Sequence, residues 1–200
     1  PKYHLFKRNE SAYTPPGWVR AKVRDVMAKR EEEIDPADTP DERFKVMTIA
    51  QTGDIRQREA GKGVNPPDWL GMYFENGSSK WFEARSGDVV FSSIDLWKGC
   101  IAVVPAEFDK AIVTKEFPIY NVTDERLDAE FLSFLLRSRY YQRAFRAITT
   151  GHSNRRRTQV GDFEELEVCF PPTVEEQKAL IANLVAAKHG QRDAVASLKT

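Results

Sequence analysis

Between Trp18 and Tyr120 the apolar residues fall in short runs, too brief for helices, with turn-forming residues between them. Phe44 to Ala50, Gly71 to Phe74, Lys80 to Glu83, Asp88 to Phe91, Gly99 to Val104 and Phe117 to Val122 each read as a strand. Two stretches interrupt this rhythm. Arg30 to Glu42 is dense in acids and holds Pro36 and Pro40, and Gly61 to Asp68 carries paired prolines, so both are expected as exposed loops. Upstream, Pro1 to Tyr13 is polar and unpatterned until Thr14-Pro15-Pro16-Gly17 punctuates the chain just before Trp18.

The period changes at Asp128. Phe131, Leu135, Tyr141, Phe145 and Ile148 recur at helical spacing, which predicts one helix capped by Asp128 and running to about Ile148. Phe131, Leu135, Phe145 and Trp18 are expected in the core, because aromatic and aliphatic stripes at such spacing usually pack. Glu165 to Phe170 then reads as a strand that Pro171-Pro172 stops, and Thr173-Val174-Glu175-Glu176 has the spacing of a capping box. The helix it opens sets Ile181, Leu184, Val195 and Leu198 on a heptad seam, with Lys188 and Gln191 at the intermediate seam positions. Gly190 weakens that helix by about 1 kcal/mol relative to Ala. The seam is still running at Thr200, which predicts pairing with another helix. The pattern as a whole predicts an α+β domain: a twisted, mostly antiparallel sheet region, a basic helix packed on it, and a C-terminal helix that begins a coiled coil and docks elsewhere.

With 200 residues there is room for one main domain and an appendage. Hydrophobic content of 41% and aromatic content of 11% fit a folded protein, and no apolar run approaches the roughly 20 residues of a membrane span. Pro1-Lys2-Tyr3-His4-Leu5 has neither an initiator Met nor a signal-peptide layout, so the start reads as a cut from a longer chain, and a soluble cytoplasmic protein is expected. In that compartment Cys100 and Cys169, both among strand-like apolar neighbours, are expected as small buried hydrophobes without a disulfide.

Lys and Arg number 30 against 30 Asp and Glu, so net charge gives no reason to expect nucleic acid. Its distribution does. No acid lies between Glu130 and Asp162, while Arg137, Arg139, Arg143, Arg146, Arg155, Arg156 and Arg157 all fall in that window. Arginine meets phosphate through charge-assisted bonds and guanine through its forked guanidinium. The run Gly151-His152-Ser153-Asn154-Arg155-Arg156-Arg157 adds imidazole, hydroxyl and amide groups able to contact phosphates and bases. Candidate readers are therefore His152, Ser153, Asn154, Arg155, Arg156 and Arg157, with Lys98 and Gln57 from polar turns, while Arg139, Arg143 and Arg146 grip phosphates.

A catalytic reading finds less support. His152 has no visible nucleophile or metal partner. Asn65-Pro66-Pro67-Asp68-Trp69 resembles the loop that holds a flipped adenine in amino-methyltransferases, but Asp68 stands at the aromatic position, and no Gly-rich strand-to-helix turn offers a methyl-donor site. That stretch reads as a turn. Glu107-Phe108-Asp109-Lys110 has nuclease residue types in the wrong local order, and two Cys and three His are scattered without zinc-ligand spacing. No cofactor or metal is expected, and the chain reads as non-catalytic.

Three segments carry a family resemblance. Pro15-Pro16-Gly17-Trp18-Val19-Arg20-Ala21-Lys22-Val23-Arg24-Asp25-Val26 comes first, then Gly87-Asp88-Val89-Val90-Phe91-Ser92-Ser93-Ile94 followed by Gly99-Cys100-Ile101-Ala102-Val103-Val104. Last, Gly161-Asp162-Phe163-Glu164-Glu165-Leu166-Glu167-Val168-Cys169-Phe170-Pro171-Pro172 leads into Glu175-Glu176-Gln177-Lys178-Ala179-Leu180-Ile181. In this order they resemble a target recognition domain of type I restriction-modification specificity subunits of the HsdS kind. The resemblance implies that residues 1–14 are a linker remnant, 15–170 a DNA-reading domain and 171–200 the start of a long helix for subunit contact. In that family two such domains, joined by two long helices, each read one half of a split double-stranded DNA site, and the helices hold the methyltransferase (modification) subunits. A restriction subunit and a second recognition domain, in the same chain or by dimerisation, are the further partners implied. Left open are a full-length parent, a half-length dimerising one, or a fusion to or partner of an N6-adenine methyltransferase or type II-like restriction enzyme. The contrasting reading is a partner-binding remnant that no longer touches DNA.

Overall fold

In the computed structural model the described residues are 14–58, 80–150 and 157–197, apart from 36–37, 40 and 43 and the side chains of 192, 195 and 196. The expected strand from Gly71 to Phe74, the loop Gly61 to Asp68 and the turn at Asn65 to Trp69 lie outside them.

The chain enters through β1 (Val19–Lys22), a single helical turn α1 (Val23–Val26) and β2 (Met27–Lys29). β3 (Glu33–Ile34), β4 (Met47–Ile49), β5 (Ile55–Gln57), β6 (Trp81–Ala84), β7 (Val89–Phe91), β8 (Ile101–Val103), β9 (Ala111–Thr114) and β10 (Ile119–Val122) follow. Two helices come next, α2 (Ala129–Arg137) and α3 (Arg139–Ile148), then the two-residue strands β11 (Thr149–Thr150) and β12 (Arg157–Thr158). A short α4 (Val160–Glu164), β13 (Glu167–Phe170) and the long α5 (Val174–Ser197) complete the order. Every pairing between these strands is antiparallel, and one isolated parallel bridge joins Val46 to Ile112. This is the α+β architecture the sequence predicts.

A four-stranded sheet in the order β2-β10-β7-β8 occupies the middle. Val89, Phe91, Ile101 and Tyr120 face the helices, where they join Phe131, Leu132, Leu136, Tyr141, Phe145, Phe163 and Phe170 in the larger core. Val90, Ala102 and Ile119 point the other way, into a second core shared with Met47, Ile49 and Ile55 of the β4-β5 hairpin and with Ala84, Ala111 and Val113 of the sheet β3-β6-β9. Burial on both faces is why Val89-Val90-Phe91 and Cys100-Ile101-Ala102 are continuous apolar runs rather than alternating ones.

Four expectations are corrected. The predicted helix from Asp128 to Ile148 is two helices broken at Ser138, whose backbone is extended at φ −61° and ψ 155°. The break re-phases the chain: Leu132 and Leu136 face the core from α2, whereas Tyr141, Ala144, Phe145 and Ile148 do so from α3, a set no single straight helix could turn to one side. The acidic stretch Arg30 to Glu42 is not wholly loop, because Ile34 packs beside Trp81 and lets Glu33–Ile34 pair with β6. Trp18 and Leu135, expected in the core, are half-buried. The predicted seam is also divided: Ile181 is buried against the domain while Leu184 is 52% exposed. The side chain of Val195 and the whole of Leu198 lie outside the described residues.

The ends of the domain close on each other through β1 and β13, which pair from Val19 with Phe170 to Lys22 with Glu167. Arg20 reaches Glu167 at 3.1 Å and Lys22 reaches Glu165 at 2.8 Å across this ribbon. Asp128 caps α2 as read, accepting from the Phe131 amide at 2.8 Å; at α5 only half of the capping box forms, since Thr173 accepts from the Glu176 amide at 3.3 Å while the Glu176 carboxylate accepts the Thr173 hydroxyl at 3.0 Å. Gln177, fully buried, fastens α5 to the domain. Its amide donates to the Arg126 carbonyl at 2.6 Å and the Pro171 carbonyl at 2.8 Å, and its oxygen accepts from the Asp128 amide at 2.8 Å.

Candidate nucleic-acid interface

The core face of α3 buries Tyr141, Ala144, Phe145 and Ile148, and this leaves Arg139, Arg143 and Arg146 exposed on the opposite side. None of the three has an acidic partner among the described residues. The first turn of α3 holds no acid, and Ser138 provides no side-chain cap. An arginine there stands against the positive end of the helix dipole, an arrangement that costs about 0.3–1 kcal/mol and that an anion laid over the turn would relieve.

Beside α3 lies the 3-10 turn Leu96–Lys98. Leu96 is buried in the main core, and the half-buried Trp97 packs against it. The Trp97 ring has the Lys98 ammonium 5.3 Å and the Arg146 guanidinium 5.5 Å from its centroid. Lys98 also bonds Asp95 at 2.7 Å, and this bond holds its ammonium above the ordinary lysine range. Lys98, Arg139, Arg143 and Arg146 are thus brought onto one face.

The β4-β5 turn braces that face from the side. Gly53 takes φ +75°, and a Cβ there would stand 2.6 Å from Arg137 Nη1. Arg137 is therefore wedged behind the turn rather than offered to solvent; burial pulls its guanidinium below the ordinary value and Asp54 opposes that shift. Gln142 donates to the Arg137 carbonyl at 3.1 Å and sits beside Gly99, so one side chain caps the end of α2 and contacts the 3-10 turn. Gln57 is exposed farther along β5, and no contact among the described residues joins it to the arginines.

His152, Ser153, Asn154, Arg155 and Arg156 lie outside the described residues. The strands on either side of them are well anchored. Thr149 donates its hydroxyl to the Phe145 carbonyl at 2.5 Å and therefore accepts from Thr158 at 2.9 Å. The Thr158 amide donates to the Ser93 carbonyl at 2.9 Å, and Ser93 bonds Glu116 at 3.1 Å. Arg157, one of the expected readers, pairs with Glu116 at 2.8 Å and is half exposed. Glu116 and Asp95 were missed as neighbours of the basic island because they lie far from it in sequence.

No group of three or more His, Cys, Asp or Glu side chains that could hold a metal ion occurs among the described residues, and no helix there is long and apolar enough to cross a membrane. Both cysteines are free thiols, Cys100 buried and Cys169 half-buried.

Comparison with solved structures places this architecture. An HsdS subunit from Thermoanaerobacter tengcongensis superposes over 93% of the chain at a TM-score of 0.69 and 24% identity. The chain has the HsdS fold. A chain of a type I R-M system, solved to explain its complex assembly and conformational transition, covers 91% at a TM-score of 0.68 and 23% identity. A type I restriction-modification S subunit from M. genitalium covers 94% at a TM-score of 0.56 and 17% identity. The chain spans less than half the length of each, 46%, 45% and 43% respectively. No family model and no curated protein matches it. Within the HsdS fold, the basic face just described belongs to α3 and the turn beside it, whereas the buried Gln177 belongs to the junction where α5 leaves the domain.

Proposed function

We propose that this chain is a non-catalytic reader of one half of a split double-stranded DNA site, conferring target specificity on a type I restriction-modification complex. The observation that carries the reading is the exposed face of Arg139, Arg143 and Arg146, without acidic partners among the described residues, on an HsdS-like fold. These arginines grip phosphates, and Lys98 joins them. The stretch from His152 to Arg157 supplies base contacts, with Gln57 a further candidate. In this division residues 1–14 are a linker remnant, 15–170 the recognition domain and 171–200 the start of the subunit-contact helix.

That helix supports the partner side of the reading. From His189 onward every described side chain of α5 is exposed, and nearer the domain Leu180 and Leu184 are 56% and 52% exposed, Leu180 beside a groove it shares with Trp18 and Pro171. Leu180, Leu184, Ala187, Gln191 and Ala194 repeat at heptad spacing along one exposed flank of the helix. The helix pairs there with a second long helix, from a second recognition domain in the same chain or a dimer mate, and the pair receives the modification subunits and, in the assembled complex, the restriction subunit.

The double variant Arg139→Ala/Arg143→Ala tests the DNA side. It is expected to weaken binding to all duplexes alike and to flatten the log–log salt dependence by about two units. An unchanged slope would remove these arginines from the interface.

A further inference from the structure

We infer that Trp97 is a positioning residue that holds Lys98 and Arg146 together as one two-cation phosphate site. The inference rests on the DNA-binding reading above and adds to it a residue with no charge of its own. Lysine and arginine side chains are long, and ordering each for a phosphate contact costs rotamer freedom. Here the two come from different elements, the 3-10 turn and the last turn of α3, yet both stand over the same indole ring at 5.3 and 5.5 Å from its centroid. An aromatic face attracts a cation without neutralising it. A carboxylate would hold the same side chains but offset their charge toward DNA, as Asp95 does in part for Lys98. The ring is itself fixed, because Trp97 packs on the main core and its neighbour Leu96 is fully buried. Asp95 bonds Lys98 from one side, which leaves Arg146, without an acidic partner among the described residues, as the fuller charge of the pair.

The structure thus contains two kinds of basic residue on one face. Arg139 and Arg143 extend into solvent with no brace among the described residues, whereas Lys98 and Arg146 are braced before any duplex arrives. Bracing lowers the ordering cost of binding, so the braced pair should contribute more affinity per charge.

The test uses the full 200-residue chain and a mixed-sequence duplex of about 20 base pairs, titrated across a salt series. Trp97→Leu is expected to weaken binding at low salt and to reduce the log–log slope by one to two units, as if one or both cations had left the interface. Trp97→Phe, which keeps an aromatic face, should restore most of the slope. In a Lys98→Ala/Arg146→Ala background, Trp97→Leu should change the slope no further. Thermal melting of each variant separates lost stability from lost binding, since destabilisation alone does not alter the slope of the folded fraction. A Trp97→Leu slope equal to that of the unaltered chain, or a further drop in the background lacking both cations, overturns the inference. If Trp97→Leu has no effect while Arg139→Ala/Arg143→Ala flattens the slope, the inference fails and DNA binding stands. If the chain binds no duplex at all, the DNA reading fails and takes the inference with it.

Discussion

Replacing Gln177 by Leu keeps the side chain's bulk and removes three hydrogen bonds at once. The Pro171 carbonyl, bonded in a buried setting, loses its partner, and the Arg126 carbonyl and Asp128 amide lose theirs in partly buried ones. A buried neutral group left unpaired costs about 1–3 kcal/mol, and a group near water costs less because solvent replaces the partner. Taking the upper part of that range for Pro171 and about 1 kcal/mol for each of the others gives about 4–5 kcal/mol. In a chain of this size each kcal/mol shifts Tm by about 2–4 °C, so a fall of about 8–20 °C is expected. Urea unfolding measures the loss, and amide exchange of Asp128 and the first turns of α5 locates it. Gln177→Glu sharpens the test. A carboxylate cannot donate to the two carbonyls, whereas its protonated form supplies one donor, so the folded state should raise the Glu pKa above its usual value of about 4.3. A raised folded pKa means that the variant is closest to the unaltered chain below about 4.3. The gap then widens as pH rises through the folded pKa and stays constant above it. Loss of less than 1 kcal/mol in Gln177→Leu, or a gap in Gln177→Glu that narrows with rising pH, would refute the view of Gln177 as the fastening between helix and domain.

Asp88→Ala removes a carboxylate, only 2% exposed, that holds the Arg30 guanidinium at 2.6 and 3.0 Å and the Arg85 amide at 2.8 Å. Arg30 can recover some hydration at the domain edge, so a loss of about 3 kcal/mol in urea unfolding is expected, and less than 1 would contradict it. Gly53→Ala forces an L side chain into φ +75° and makes the Arg137 guanidinium shift aside, which predicts about 1–2 kcal/mol of destabilisation by thermal melting, most of it from the backbone. Burial pushes the Cys100 thiol up to about 11, so at pH 8 iodoacetamide should label Cys169 first and Cys100 only on unfolding; mass spectrometry of the labelled peptides decides.

The starts of α2 and α5 were legible because caps are local: Asp128 and Thr173 contact amides three residues away. The run Val89-Val90-Phe91 was legible as a strand for the same local reason, but its burial on both faces depends on partners from distant parts of the chain. The break at Ser138 had a signal. Leu135 to Tyr141 is a six-residue step that no single helix face accommodates, and the two residues on either side of it belong to different helices. Ala111–Thr114 at β9 is not among the strands the sequence analysis predicts, although its β-branched residues offered the signal, whereas Glu33–Ile34 was hidden in an acidic stretch and forms only because β6 is there to pair with it. At the candidate interface the arginines of α3 were found from the charge gap alone. Trp97 was not, since the role proposed for it depends on Arg146, which is distant in sequence and adjacent in space. Arg137, part of the same charge run, is wedged behind Gly53, a placement the charge run did not reveal because composition does not distinguish the faces of a helix.

The most direct test of the DNA-reading account is selection of the chain's preferred duplex from a randomised pool, sequenced after rounds at low and at moderate salt. The account predicts enrichment of one short motif that persists at moderate salt. Uniform recovery of all sequences that vanishes as salt rises would contradict it, leaving an electrostatic grip with no reading of sequence.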